Sequence, residues 1–219
     1  MQHELRTFDD ASALAHAAAA FVADRARDVA SRDAPFTFAL SGGKSPWAMF
    51  KTLAHDDVNW SHTRIYQVDE RVVSESNVLR NLKSLRAALA GTNAPIDAMD
   101  VDAPDLEDAC ARYAALLPAR FDLVHLGVGP DGHCASLVPD DPVLEVTDRL
   151  VALSGPYQDT RRMTLTYPAL ARADQILWLI SGEDKRDALA KLLASDPSVP
   201  AGRVVAGASL VMADRAALG

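Results

Sequence analysis

FDLVHLGVGPDGHCASLVP, residues 121–139, begins as a short apolar strand and breaks into a glycine-rich turn carrying Asp131 and His133. The run FDLVHLG at 121–127 suits a strand covered on both faces, the usual condition in a parallel sheet. Gly127, Gly129 and Gly132 formally match G-x-G-x-x-G. A dinucleotide site needs that turn to open a helix, with an acidic residue about 20 positions on. Here HCASLVP leaves barely two turns before Pro139 and Pro142, so the dinucleotide reading is discarded. What remains is chemistry at a strand tip. His133 is the side chain suited to proton exchange near neutral pH, and Asp131 is placed to orient the imidazole or a water. A histidine in a surface turn is more often merely solvated, so this segment needs company.

The same strand-then-polar-turn unit recurs on either side. FTFAL at 36–40 predicts a buried strand ended by Ser41-Gly42-Gly43, and Pro46 suits the first turn of a helix carrying Trp47, Met49, Phe50 and Leu53. RIYQV at 64–68 runs into Asp69-Glu70-Arg71, and QILWLI at 175–180 runs into Gly182 and a helix over 183–194. LVALSG (150–155) and RMTLT (162–166) predict strands around a loop, and ASLVMA a last strand near 208–213. Helices are predicted over 9–31, capped by Asp9 or Asp10, over 77–90, over 104–117 and near 168–172. The alternation predicts an α/β fold: an open, mainly parallel sheet with helices on both faces, Rossmann-like in outline. Polar residues gather past the strands' C-terminal ends, where open parallel sheets bind ligands. No Pro/Gly/Ser-rich linker divides the chain, which reads as one domain over 1–219.

Composition narrows the function classes. A net charge of -8 argues against nucleic acid or a membrane surface as the main partner, while leaving room for a local cluster of Arg and Lys around an anion. The two cysteines, Cys110 and Cys134, stand far apart in unlike contexts, which fits a reduced, cytoplasmic setting. The apolar run from Ala17 to Ala23 is too short and too closely flanked by charge for a signal peptide or a span.

Four further segments supply candidate chemistry. Ser41-Gly42-Gly43-Lys44-Ser45 offers backbone N–H groups at a helix start, a natural anion cradle. Its GKS letters do not make a nucleotide-binding loop, because Phe38 stands where the first glycine belongs and Pro46 follows at once. Arg71 offers a planar fork for a phosphate or a developing oxyanion, against the bland alternative of a surface ion pair. Arg161-Arg162 adds charge beside a strand, with Arg162 favoured because it directly precedes MTLT. Lys185 lies near the start of a helix, where a cation runs against the dipole unless an anion is present. A metal reading of His133 with Cys134 lacks a cluster of further ligands.

Taken in order, LSGGKSP (40–46), VDER (68–71), Ser76-Asn77, LGVGPDGHCASLVP (126–139), RMTLT (162–166) and SGEDKRDAL (181–189) resemble the 6-phosphogluconolactonase family of the pentose phosphate pathway. The LG-x-G-x-DGH-x-ASL-x-P stretch is the most specific of these pieces. The resemblance implies hydrolysis of a sugar-phosphate lactone, with His133 as the base that activates water and Arg71 as the partner of the oxyanion. Ser41, Gly42, Gly43, Lys44 and Ser45, with Arg162 and Lys185, would hold the 6-phosphate, and Asp69 and Asp131 would support the site. It implies a small-molecule substrate, no metal or organic cofactor, and a monomer or small homo-oligomer. The chain departs from the pattern at Lys44, Cys134 and Val138, and in the short stretch 72–75 between Arg71 and Ser76.

Two other readings compete. Glucosamine-6-phosphate deaminase/isomerase shares the G-x-DGH segment but follows it with a carboxylate, where this chain has Ser136-Leu137-Val138-Pro139. A sugar-phosphate sensor domain of a transcriptional regulator would need a DNA-binding module, and the first 35 residues read as one acidic, Ala-rich helix.

Overall fold

The computed structural model describes residues 2–30 and 34–219, with the side chains of Ala30 and Lys44 outside that description. Among the described residues ten strands are formed: β1 (Glu4–Phe8), β2 (Phe36–Leu40), β3 (Thr63–Gln67), β4 (Asp69–Arg71), β5 (Ile96–Asp97), β6 (Leu123–Leu126), β7 (Val151–Tyr157), β8 (Thr160–Leu165), β9 (Gln175–Ile180) and β10 (Ala208–Asp214). The helices are α1 (Ala11–Ala30), α2 (Lys44–Leu53), α3 (Asn81–Ala88), α4 (Leu106–Leu116), α5 (Tyr167–Leu170), α6 (Arg186–Leu193) and α7 (Arg215–Leu218). Seven strands make one parallel sheet in the order β1-β10-β9-β6-β2-β3-β5. From β2 the chain moves outward through β3 to β5, then returns to β6 and runs the other way through β9 and β10. The reversal between β2 and β6 is the topological switch point, and the crevice beyond their carboxyl ends is the place for a ligand.

Helices cover both faces because the strands are apolar on both. Phe36, Phe38 and Leu40 of β2 pack with Leu14 and Ala18 of α1 and with Met49 and Phe50 of α2. Ala39 of the same strand and Val124 and Leu126 of β6 face the other way, toward Ala109 and Tyr113 of α4 and Leu189 of α6. Phe38, stacked on Phe36 at 5.8 Å and edge-on to Phe50 at 6.1 Å, contributes on the order of 2–3 kcal/mol by its burial. Asp10 rather than Asp9 caps α1, its carboxylate accepting from the N–H groups of Ser12 and Ala13 at 2.9 and 2.8 Å.

Sequence expectation and structure part at the small elements. Strands β1 and β5 carry no clear periodicity; β1 is largely exposed at the sheet edge and β5 is two residues long. Asp69-Glu70-Arg71 is not the tip of β3 but a separate strand, β4, antiparallel to β8 in a three-stranded sheet of order β4-β8-β7. The helix expected over 77–90 begins only at Asn81, and the one expected over 183–194 opens with a 3-10 turn, Glu183–Lys185, before α6.

Candidate active site

The chain leaves β2 at Ser41, which is buried at the switch point and tied on two sides. Its N–H donates to Nδ1 of His125 on the neighbouring strand at 3.4 Å, and its hydroxyl to Asp69 at 3.5 Å. The other Asp69 oxygen accepts from the Ser136 hydroxyl at 2.7 Å, so one buried carboxylate joins the turn after β2 to the segment after β6. His125 is wholly buried, edge-on to Phe50, and desolvation pushes its imidazole down to about 3. It is therefore neutral and serves as an acceptor. From Ser41 the chain turns through Gly42 and Gly43 into α2, whose first turn lines the crevice. A Cβ on Gly42 would stand 2.1 Å from Oδ1 of Asn81, so any larger residue there must displace the Asn81 amide.

Strand β4 divides its three residues by alternation. Glu70 points inward, fully buried, and accepts from the N–H groups of Arg71, Asn81 and Leu82, each at 2.8 Å, and from Gln67 at 2.9 Å. It thus caps α3 from outside the helix. Asp69 and Arg71 point to the crevice. Arg71 is pinned by the Asn81 amide oxygen and by the Leu79 carbonyl at 3.2 Å, and its β-partner across the ladder is Arg162. Arg162 is buried, whereas Arg161 is exposed, which separates the two adjacent arginines. Desolvation, and after it the charge of Arg71, lower the Arg162 guanidinium below its ordinary range, with Asp69 opposing them.

The turn after β6 folds back on itself through Gly129 N–H to His133 carbonyl at 2.8 Å. This brings Nδ1 of His133 to 2.6 Å from Asp131. A carboxylate accepts only, so the imidazole donates from Nδ1, and in the neutral ring that leaves the lone pair on Nε2. Burial alone would raise the Asp131 carboxyl; the His133 ring and the hydrogen bonds from His133 and Tyr157 outweigh it and hold the group below the usual carboxylate range. Gly129 makes the pair possible, because a Cβ there would stand 2.0 Å from Nδ1 of His133 and 2.6 Å from Asp131.

Lys185 sits where the 3-10 turn passes into α6, its ammonium 3.1 Å from Asp184. The turn itself is held by Asp214, which accepts from the Ser181 hydroxyl at 2.5 Å and the Gly182 N–H at 3.1 Å. All these segments surround one open cleft of about 700 Å³. Ser41, Gly42, Gly43, Ser45, Asp69, Arg71, His133, Arg162 and Lys185 line it, and Asp131 stands behind His133. The Lys44 side chain lies outside the described residues, though the backbone of Lys44 opens α2. Among the described residues no group of three or more His, Cys, Asp or Glu stands together as a metal site.

A family model described as "Glucosamine-6-phosphate isomerases/6-phosphogluconolactonase" matches residues 9–212. The chain belongs to this family. The 6-phosphogluconolactonase of Mycobacterium tuberculosis is 37% identical over 189 residues, covering 76% of each chain. Among solved structures, the 6-phosphogluconolactonase of Thermotoga maritima superposes with a TM-score of 0.89 over 98% of this chain and 100% of its own, at 24% identity. A monomeric glucosamine-6-phosphate deaminase superposes with a TM-score of 0.84 over 99% and 100%, at 18% identity, so both branches of the family share the fold. The parallel sheet with helices on both faces is the architecture of the family.

Four residues at this family's cleft escape a reading of the sequence alone. Tyr157, at the end of β7, donates to Asp131 at 3.1 Å. Asn81 braces Arg71, Ser136 holds Asp69, and His125 receives Ser41. Each touches another polar residue rather than announcing chemistry of its own, and the partners lie 10 to 84 positions away. Among the described residues no helix is long and apolar enough to cross a membrane.

Proposed function

We propose that the chain hydrolyses 6-phospho-D-glucono-1,5-lactone to 6-phosphogluconate, the lactone step of the oxidative pentose phosphate pathway. The observation that carries this reading is the Asp131–His133 pair at 2.6 Å, facing a cleft walled by Arg71, Arg162 and Lys185. Nε2 of His133 takes a proton from water as the water oxygen attacks the lactone carbonyl. The resulting oxyanion is met by Arg71, held in place by Asn81. Collapse breaks the bond to the ring oxygen, and the imidazolium returns its proton to that oxygen, leaving a hydroxy acid. A lactone already hydrolyses in water, so a positioned base contributing about 10²- to 10⁴-fold is sufficient. The turn over 41–45, with Arg162 and Lys185, holds the 6-phosphate. Asp69 acts on the turn, tying Ser41 to Ser136.

The 37% identity to a protein named 6-phosphogluconolactonase supports this branch of the family. So does the chain's own Ser136-Leu137-Val138-Pro139, which brings no carboxylate to the histidine of the kind a deaminase uses. The test is turnover: acid release from freshly made 6-phosphogluconolactone must exceed spontaneous hydrolysis. Ammonia release from glucosamine 6-phosphate would transfer the chain to the deaminase branch. Tight binding of 6-phosphogluconate with neither activity would make it a sensor.

A further inference from the structure

Strands β7 and β8 form a hairpin whose two tip residues, Gln158 and Asp159, have φ of 51° and 62°. Two consecutive left-handed residues make the tight turn that matches strand twist, with Tyr157 and Thr160 as its closing pair. That turn delivers Tyr157 to the back of the base. Its hydroxyl lies 3.1 Å from Oδ2 of Asp131 and 3.4 Å from Nδ1 of His133, and its ring stands 5.2 Å from the imidazole. The Arg162 guanidinium lies over the same ring at 5.0 Å, within cation–π range. One Arg162 nitrogen also faces the Tyr157 carbonyl and the Gln158 amide oxygen, both at 3.4 Å.

We propose that Tyr157 is a positioning residue with two functions: its hydroxyl orients the Asp131–His133 pair, and its ring bears the anion-binding Arg162. Asp131 spends one oxygen on His133 and the other on Tyr157, so the carboxylate cannot rotate and the imidazole plane is set. Burial, and then the Asp131 charge, push the phenol up, which keeps it protonated as a donor across the working pH range. The ring meanwhile gives a buried guanidinium a face to rest on, so that the anion grip and the base share one rigid support. This rests on the lactonase reading for its kinetic test, but the geometry can be tested without turnover.

Asp131 on its own turn and Tyr157 on the hairpin touch the imidazole, and Asp69, Arg71, Arg162, Asp184 and Lys185 line the same cleft. Tyr157→Phe removes only the hydroxyl, and Tyr157 is partly exposed at a hairpin tip, so folding is retained. Without that donor Asp131 turns its full charge on His133, and the imidazolium is stabilised. The acidic limb of kcat/KM therefore moves to higher pH, by a few tenths of a unit, while kcat falls roughly threefold to tenfold and KM stays put. Tyr157→Leu, which also removes the ring, adds a rise in KM. In parallel, the His133 imidazole is titrated by nitrogen-15 NMR in the wild type and in Tyr157→Phe, with its signals assigned by loss in His133→Gln. A titration that moves upward supports the proposal, with or without lactonase activity. An unmoved titration, with kcat unchanged where the enzyme turns over, overturns the orienting function. A KM for Tyr157→Leu equal to that for Tyr157→Phe overturns the support of Arg162. A wild type that fails to hydrolyse the lactone overturns the lactonase reading, and the imidazole titration then decides this proposal alone.

Discussion

Replacing Gly129 by alanine puts the proposed base to a sharp test, because the nearest atoms to the added methyl belong to the Asp131–His133 pair. The Cβ would stand 2.0 Å from Nδ1 and 2.1 Å from Cε1 of His133, and 2.6 Å from Asp131. Real Cβ contacts do not approach 3 Å, so the imidazole must leave its place. The backbone at Gly129 is not in the left-handed region, so alanine meets no conformational penalty of its own. His133 is partly exposed and can swing toward solvent, which limits the damage to fold stability. The expected cost is about the net worth of the lost hydrogen bonds, about 1–2 kcal/mol, or a Tm lower by a few degrees in a chain of 219 residues. Catalysis suffers far more. Displacing a general base removes roughly 10²- to 10⁴-fold in kcat, leaving what binding and the oxyanion partner supply. Affinity for 6-phosphogluconate, which in the proposed reading rests on the 41–45 turn, Arg162 and Lys185, should stay within about threefold of wild type. The assay is stopped-flow or pH-stat hydrolysis corrected for the spontaneous rate, with calorimetry for Tm. Gly127→Ala serves as the stability control, since its Cβ would meet nothing nearer than the Leu179 carbonyl at 3.9 Å. Retention of kcat within about twofold in Gly129→Ala would refute the proposed geometry of the base, because a factor that small is below the worth of one hydrogen bond.

Three further outcomes follow from the same wall-by-wall reading. His133→Ala should lose about 10²-fold or more in kcat while binding 6-phosphogluconate nearly as well as wild type; equal kcat would assign the base elsewhere. Arg162→Ala and Lys185→Ala should mainly raise KM, by about tenfold or more for a lost charge-assisted contact, whereas Arg161→Ala, at an exposed position, should leave steady-state kinetics alone. The last concerns pH and stability: His125 is held neutral in the fold, near 3, but charges in the unfolded chain below its ordinary 6.5. The unfolded state then binds more protons, so His125 costs stability as pH falls from 6.5 toward 3, at about 1.4 kcal/mol per unit. Chemical denaturation of wild type and His125→Leu between pH 7 and 4.5 reads this directly: the difference in unfolding free energy should shift in favour of the variant on acidification. Parallel pH profiles would refute it.

The centre of the large parallel sheet was legible because its strands are apolar on both sides and run into glycine-containing turns: Phe36–Leu40, Leu123–Leu126 and Gln175–Ile180 lie within a few residues of where the sequence pattern puts them. The small sheet was not. Val68-Asp69-Glu70-Arg71 looks like the polar end of a strand, and nothing local says that the chain changes partners at Val68 to pair with Thr160–Leu165, almost a hundred residues on. That pairing is a tertiary event, and it alone places Arg71 beside Arg162. Candidate cleft residues announced themselves where they sit at strand tips, as Ser41, His133 and Lys185 do. Residues whose task is to hold another residue, such as Asn81, Ser136 and Tyr157, carry no local signal, since their partners are far off in sequence.

The two sheets contribute different kinds of group to the proposed anion site. The parallel sheet contributes N–H groups at the 41–45 turn and the imidazole, neither of which is a fixed charge. The antiparallel sheet contributes both guanidinium groups, in direct register at Arg71 and Arg162. Like charges opposite one another on a ladder repel, and burial makes that repulsion worse for Arg162. Asp69, placed between the sheets, offsets part of it, but its oxygens are already engaged by Ser41 and Ser136. Arg71 is fixed by uncharged partners, an amide and a carbonyl, which orient it without neutralising it. Arg71, Arg162 and Lys185 thus share the cleft with Asp69 and Asp184, and Asp131 stands behind His133. In the proposed reaction the 6-phosphate would be met by Arg162 and Lys185, leaving Arg71 to the oxyanion. Binding energy gained there, remote from the carbonyl, would hold the lactone against His133.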